Sequence, residues 1–213
     1  MHRGFKFAFA ALLFGLAPIV STYATQIPAR DIVARNYDVL IGVMKEAKTL
    51  GFDGRVERLK PLVEATFDLA LMARTTAAAY WGKATDEQRN KFVEAFGRMT
   101  AVTLADRFDG YDGEKFDVLG TEEQSGGFAL VKSRLIKSDG EPVQIDYLMK
   151  DGGGGWKVAD VYANGAISEL AVKTADYAAV LRSGGIEALT AALEKKADAL
   201  AGHGRQAAAT NTP

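Results

Sequence analysis

Four short alternating segments, joined only by brief turn signals, constrain this chain more than any other feature. They cover residues 116–121, 128–137, 143–150 and 156–162. Ser125-Gly126-Gly127, Ser138-Asp139-Gly140 and the run from Asp151 to Gly155 separate them. A parallel crossover needs about a dozen residues, so these connections force antiparallel hairpins. Val143, Ile145, Tyr147 and Met149 share one face, while Gln144, Asp146 and Lys150 occupy the other. One face of the sheet is therefore apolar and the other mostly wet. In the last segment the alternation puts Trp156, Val158, Asp160 and Tyr162 on one side and Lys157, Ala159 and Val161 on the other. Asn164-Gly165 then signals a turn.

Helical patterns flank this meander on both sides. Val33, Tyr37, Leu40, Met44 and Ala47 repeat at helical steps within residues 32–50, and Gly51 marks the end. Shorter helices fit 53–65 and 67–80. Thr85 lies three residues before Gln88, the spacing of a capping box, and Asp86 and Glu87 suit the positive end of the helix that follows. That helix carries Phe92, Phe96, Met99 and Thr103 on one side and should run to about Phe108. After the strands, Leu170, Thr174, Tyr177 and Leu181 predict a helix over 169–182. Ile186, Leu189, Leu193 and Leu200 give an inward face to another over 185–201. Helices, then a meander, then helices predict one α+β domain: an antiparallel sheet of about four strands with helices packed around one face. Residues 25–201 form this domain, and the small polar stretch 202–213 reads as a disordered tail.

The N-terminus predicts where the protein goes. Arg3 and Lys6 precede an apolar run from Phe7 to Val20, and Thr22-Tyr23-Ala24 offers small residues at the positions a signal peptidase reads. This is the pattern of a cleaved secretory signal peptide over residues 1–24. The run falls short of the roughly 20 apolar residues of a spanning helix. The chain has no cysteine, so neither a lipid-modified cysteine nor a disulfide is available. The expected destination is the periplasm.

Composition excludes several classes of function. A formal net charge of -1, with no basic excess, argues against a nucleic-acid partner. Once residues 1–24 are removed the only histidine is His203, between two glycines in the expected tail. No metal site or Ser-His-Asp arrangement can be assembled from it. Carboxylate pairs can be drawn from Asp146 with Asp160, or Glu64 with Asp68, but no cluster of exposed aromatics accompanies them as a sugar site would want. The glycines at 152–155 lead into a strand rather than a helix with Lys-Ser/Thr, so they read as a hairpin loop, not a phosphate loop. No catalytic residue, metal or cofactor is expected.

What remains is a surplus of large apolar side chains. Phe67, Leu71, Met72, Tyr80, Trp81, Phe92, Phe96, Met99, Leu130, Tyr147, Met149, Trp156, Val158 and Tyr162 are candidates for the lining of an apolar cavity between sheet and helices. Taken singly, each is more often plain core.

Four segments carry a resemblance. FDLALMAR (67–74), YWGKATDEQRNKFVEAF (80–96), IDYLMKDGGGGWKVADV (145–161) and ADYAAVLRSGGIEALTAAL (175–193) resemble the MlaC/Ttg2D family of periplasmic lipid-binding proteins. LGFDGRVERLKPLVEATFDLALMAR (50–74), ADRFDGYDGEKFDV (105–118) and GAISELA (165–171) are similar to one branch, the hopanoid-biosynthesis-associated HpnM proteins. The resemblance implies a twisted antiparallel sheet and helices that enclose an elongated apolar cavity. It implies a monomeric carrier of lipid, phospholipid or hopanoid, that shuttles between inner and outer membranes and exchanges cargo with transport complexes in both. An enzyme acting on a lipid-like substrate in the same cavity, and a structural adaptor with a filled core, are the competing expectations.

Overall fold

The computed structural model describes residues 27–210 and the side chains up to Gln206. The expected signal peptide lies outside the described residues. Helices α1 (Ala29–Lys45), α2 (Ala47–Thr66), α3 (Leu69–Ala77) and α4 (Asp86–Arg107) come first, with a 3-10 segment, Ala78–Lys83, before α4. Strands β1 (Lys115–Gln124), β2 (Phe128–Ile136), β3 (Pro142–Asp151), β4 (Trp156–Ala163) and β5 (Ile167–Ser168) follow, and α5 (Glu169–Thr210) closes the chain. The sheet is antiparallel throughout, in the order β1-β2-β3-β4-β5. This is the α+β architecture expected, with one strand more than anticipated. The extra strand has two residues, too few to show an alternating pattern. It pairs with β4 through the Asn164-Gly165 turn, where both residues have positive φ (52° and 71°), as a type I′ hairpin turn requires.

Local signals set the helix ends. Thr85 Oγ1 accepts from Gln88 N at 3.2 Å while Thr85 N donates to Gln88 Oε1 at 2.8 Å, closing the capping box in both directions. Asp68 caps α3 by accepting from Leu71 N at 3.1 Å. The first helix breaks at Glu46, earlier than its periodicity indicates, and Gly51 (φ 61°) then interrupts the helical path inside α2. Gly184 and Gly185 interrupt α5 in the same way, dividing it where two helices were expected. The second part of α5 continues to Thr210, through residues expected in a disordered tail. There Ala201 is buried against the core and Arg205 pairs with Asp53 at 3.0 Å.

The helices cover one sheet face. Val131, Tyr147, Met149 and Val158 point into this layer and meet Val33, Tyr37, Leu59, Val63, Phe92 and Phe96 in one contiguous core. Lys132–Glu122 and Arg134–Asp117 ion pairs lie on the opposite face, as the alternation predicts.

The register of β4 departs from simple alternation. Leu148 faces Asp160 but Met149 faces Val158, so Ala159 is an extra, bulged residue. Beyond the bulge every side chain changes face. Val161 therefore joins Val158 on the helix side, opposite Tyr147, while Asp160 and Tyr162 turn to the outer side with Asp146. This corrects the expected grouping of Trp156, Val158, Asp160 and Tyr162. The bulge also lets Val158 O accept from Asp68 N at 2.8 Å, which ties the start of α3 to the sheet.

Asp160 connects the sheet to α5. It is only 6% exposed, and its carboxylate accepts from Val161 N (2.7 Å), Leu170 N (3.1 Å) and Ser168 Oγ (2.5 Å). Asp160→Ala leaves these donors buried without a partner. It is expected to lower unfolding stability by about 3 kcal/mol, read from urea titration. Thr85→Ala, which removes only a helix cap, should cost about 1 kcal/mol in the same measurement.

Candidate functional site

A cleft opens where the sheet and the helical layer part. Its back wall is Ile145 and Tyr147 from β3 and Val161 from β4. Phe67 and Met72, at the α2–α3 junction, also line it. The second half of α4 supplies Phe96, Met99, Thr100, Thr103, Leu104 and Arg107, with Phe108 just beyond. The first half of α5 supplies Glu169, Lys173 and Tyr177, which recur every fourth residue and so share one helix face.

The interior is apolar for reasons beyond residue type. Thr100 and Thr103 could offer hydroxyls to the cleft, but each bonds back to its own helix, Thr100 Oγ1 to Phe96 O at 2.8 Å and Thr103 Oγ1 to Met99 O at 2.7 Å. The Tyr147 hydroxyl turns inward to Tyr37, whose own hydroxyl shares a 2.5 Å hydrogen bond with Ser133 Oγ. Burial pushes both phenols above their ordinary pKa, so both stay neutral over the physiological range. Tyr177, at the cleft edge, is pushed up to about 12 chiefly by burial. None of these phenols is poised as an acid or base near neutrality.

Polarity gathers at the mouth. Phe96 is 1% exposed, Met72 4% and Tyr147 8%, whereas Arg107 is exposed and Lys173 half-buried. Lys173 and Glu169 form a long ion pair of 3.8 Å. Burial lowers the Lys173 pKa first of all, Glu169 works against this, and Arg107 and Lys196 lower it further. The free space in the cleft is about 140 Å³, close to the roughly 150 Å³ void that holds a benzene ring in a dry protein core.

Of the fourteen proposed lining residues, Phe67, Met72, Phe96, Met99 and Tyr147 meet in this cleft. Phe92, Met149 and Val158 are fully buried in the core behind it. Trp156 packs against the core at the start of β4 without reaching the cleft, and Tyr80 does so from the 3-10 segment. Leu71 and Trp81 line a separate surface groove with Arg74, Thr75, Ala78, Ala79 and Gly82. Leu130, which pairs with Leu148, sits with Tyr162 on the outer sheet face. Apolar reasoning passed over Leu104 and Phe108, which extend the Phe96-Met99-Thr103 stripe of α4. It also passed over Val161, hidden by the bulge, and the charged rim.

The carboxylates considered for catalysis are occupied elsewhere. Asp146 is 2% exposed, accepts from Ser133 N (3.1 Å) and Gln144 Nε2 (2.8 Å), and faces away from the cleft. Asp160 holds α5, Asp68 caps α3, and Glu64 is exposed beside Lys60 at 3.7 Å. Among the described residues no group of three or more His, Cys, Asp or Glu could hold a metal ion. No helix among them is long and apolar enough to cross a membrane.

An antiparallel sheet with a helical layer on one face, parting at an apolar cleft, defines an α+β protein with a cleft between its layers. Residues 34–195 match the family model described as MlaC protein, so the chain belongs to the MlaC family. It is 26% identical over 151 residues to the toluene tolerance protein ttg2D of Pseudomonas putida, covering 68% of each chain. Its fold is similar to that of a phospholipid-binding protein from Ralstonia solanacearum solved in complex with a phospholipid. The TM-score is 0.68 at 20% identity, over 82% of this chain and 99% of that one.

Met99 and Trp81 separate the cleft from the groove. Met99→Glu places a charge against the apolar wall and is expected to weaken uptake of an apolar fluorophore by about tenfold or more. Trp81→Glu should leave uptake within about twofold, since the groove is a separate site. Thermal melting of both variants checks that each remains folded.

Proposed function

We propose that this protein is a periplasmic lipid carrier that holds the apolar body of its cargo in the cleft between α4, α5 and the sheet. The observation that carries this reading is an apolar wall on which the Thr100, Thr103 and Tyr147 hydroxyls are already bonded within the protein. Such a wall offers a hydrocarbon chain a replacement for water contact and offers a reacting substrate nothing. Each lipid methylene left in water costs about 0.8 kcal/mol. A lipid with dozens of carbons therefore faces a barrier on the order of 10 kcal/mol or more against crossing an aqueous gap unaided. A carrier removes that barrier without acid, base or metal. Membership in the MlaC family and the phospholipid bound by the Ralstonia solanacearum protein support the same reading.

The cleft holds a ring or a few methylenes as it stands, so loading requires the layers to part. The first half of α5 is suited to move. Within residues 169–183 only Leu170 and Leu181 are buried, and Gly184 and Gly185 break the helix beyond them. The second half is held by Ile186, Leu189, Leu193, Ala197 and Ala201, all buried. Segments with few buried contacts open at least cost. Segments 50–74, 105–118 and 165–171, which resemble HpnM proteins, favour a hopanoid cargo, and we assign the protein a monomeric shuttle's role between inner- and outer-membrane transport complexes. An N-terminal export signal fits that location.

Incubation with vesicles containing phospholipid and hopanoid, followed by re-isolation and mass spectrometry of extracted lipid, tests the reading. About one lipid per chain is expected. No lipid from any vesicle, and none after native purification, would sink the carrier assignment. Recovery of phospholipid but never hopanoid would remove only the hopanoid assignment.

A further inference from the structure

We propose that Arg107 and Lys173 form a headgroup clamp at the cleft mouth, so that among phospholipids the carrier prefers an anionic headgroup over a zwitterionic one. This inference rests on the carrier reading and concerns the polar end of the same site.

Two elements bring the cations together. Arg107 is the last residue of α4, directly after the stripe that lines the cleft, and Lys173 lies one turn into the facing helix α5. Both line the same opening. Arg107 makes no ion pair or side-chain hydrogen bond among the described residues, although nine of the ten ion pairs found there engage other arginines and lysines away from the cleft. Lys173 has only Glu169, at 3.8 Å, beyond direct hydrogen-bond distance. The charged groups acting on Lys173 are Glu169 and Asp176 on one side and Arg107 and Lys196 on the other.

The local balance therefore leaves a half-buried ammonium facing a guanidinium, with one weak counter-ion at the opening. A lysine that merely covered an apolar wall with its stem would send its charge to water. Here burial lowers the Lys173 pKa, and the charges of Arg107 and Lys196 lower it further, against Glu169 and Asp176. An anion between them relieves both. The guanidinium can grip a phosphate or carboxylate with two parallel hydrogen bonds, and the ammonium adds a compact third donor. Such contacts count for more here than at an open surface, because water is partly excluded. The arrangement fits an amphiphile: the anionic head meets Arg107 and Lys173 while the chain runs inward past Met99 toward Phe96 and Met72. With a formal net charge of -1 on the whole chain, general attraction to an anionic membrane does not account for such a preference, which must be local.

The test uses vesicles holding equal amounts of phosphatidylglycerol and phosphatidylcholine with identical acyl chains. The protein is re-isolated and the ratio of bound lipids measured. Phosphatidylglycerol should be enriched, and Arg107→Gln with Lys173→Gln should cut that enrichment by about tenfold or return it to the donor ratio. Arg107→Lys with Lys173→Arg keeps both charges and should retain the preference for phosphatidylglycerol. Lys91→Gln with Arg98→Gln removes the same charge outside the cleft and should leave the ratio unchanged. Equal loading of the two lipids by the unaltered protein would overturn the clamp while leaving the carrier reading intact. So would a ratio that falls equally in the Lys91/Arg98 control. Millimolar inorganic phosphate added together with the vesicles should not alter the ratio; if it abolishes the preference, the pair is a free-phosphate site and the headgroup assignment fails. Absence of both lipids from the unaltered protein would instead sink the carrier reading.

Discussion

Ala159 is the extra residue of the bulge in β4, and its insertion sets the direction of every side chain after it. Without the bulge, Val161 would face solvent and Asp160 would point at the helices. With it, Val158 and Val161 both face the helical layer, one as core and one as cleft wall. Asp160 instead turns to the position where Ser168 Oγ, Leu170 N and its neighbour's amide reach it. Val158 O receives Asp68 N and holds the neighbouring Phe67 in the cleft lining. One inserted residue thus joins α3 and α5 to the same strand. Bulges beside binding sites have this use: they re-aim side chains without lengthening the sheet.

The cleft exists because the helical layer is firmly held on one side and loosely held on the other. Phe92, Phe96, Val102 and Ala105 lock α4 into the core, and Ile186, Leu189 and Leu193 lock the second half of α5. Between them the first half of α5 is tied at its start by Asp160 and released at its end by Gly184 and Gly185. Gly185 adopts φ 64°, which a side chain would resist. Sheet, α4 and the first half of α5, up to the glycine break, together bound the cleft.

Much of this was legible in the sequence, and the reasons for the remainder are specific. The hairpin turns, the Thr85–Gln88 capping box, the glycine breaks at 51 and 184–185 and the order of layers all rest on local chemistry that one segment can state alone. The bulge does not. Trp-Lys-Val-Ala-Asp-Val-Tyr alternates equally well in either register, and only pairing with β3 reveals the extra residue. Residue type could not divide Phe96, in the cleft, from Phe92 behind it, because both are phenylalanines one turn apart on the same helix stripe. The rim was passed over because apolar residues alone were weighed. Glu169, Lys173 and Tyr177 at four-residue spacing would have marked a second lining face.

The proposed carrier holds its cargo's chain between α4, the first half of α5 and the inner sheet face. Photo-crosslinking with a lipid carrying a photoactivatable group in mid-chain, followed by peptide mapping, tests it most directly. Labelling should fall on Phe96, Met99, Tyr147 and Val161. Labelling confined to Leu71 and Trp81, or to Leu130 and Tyr162 on the outer sheet face, would contradict it.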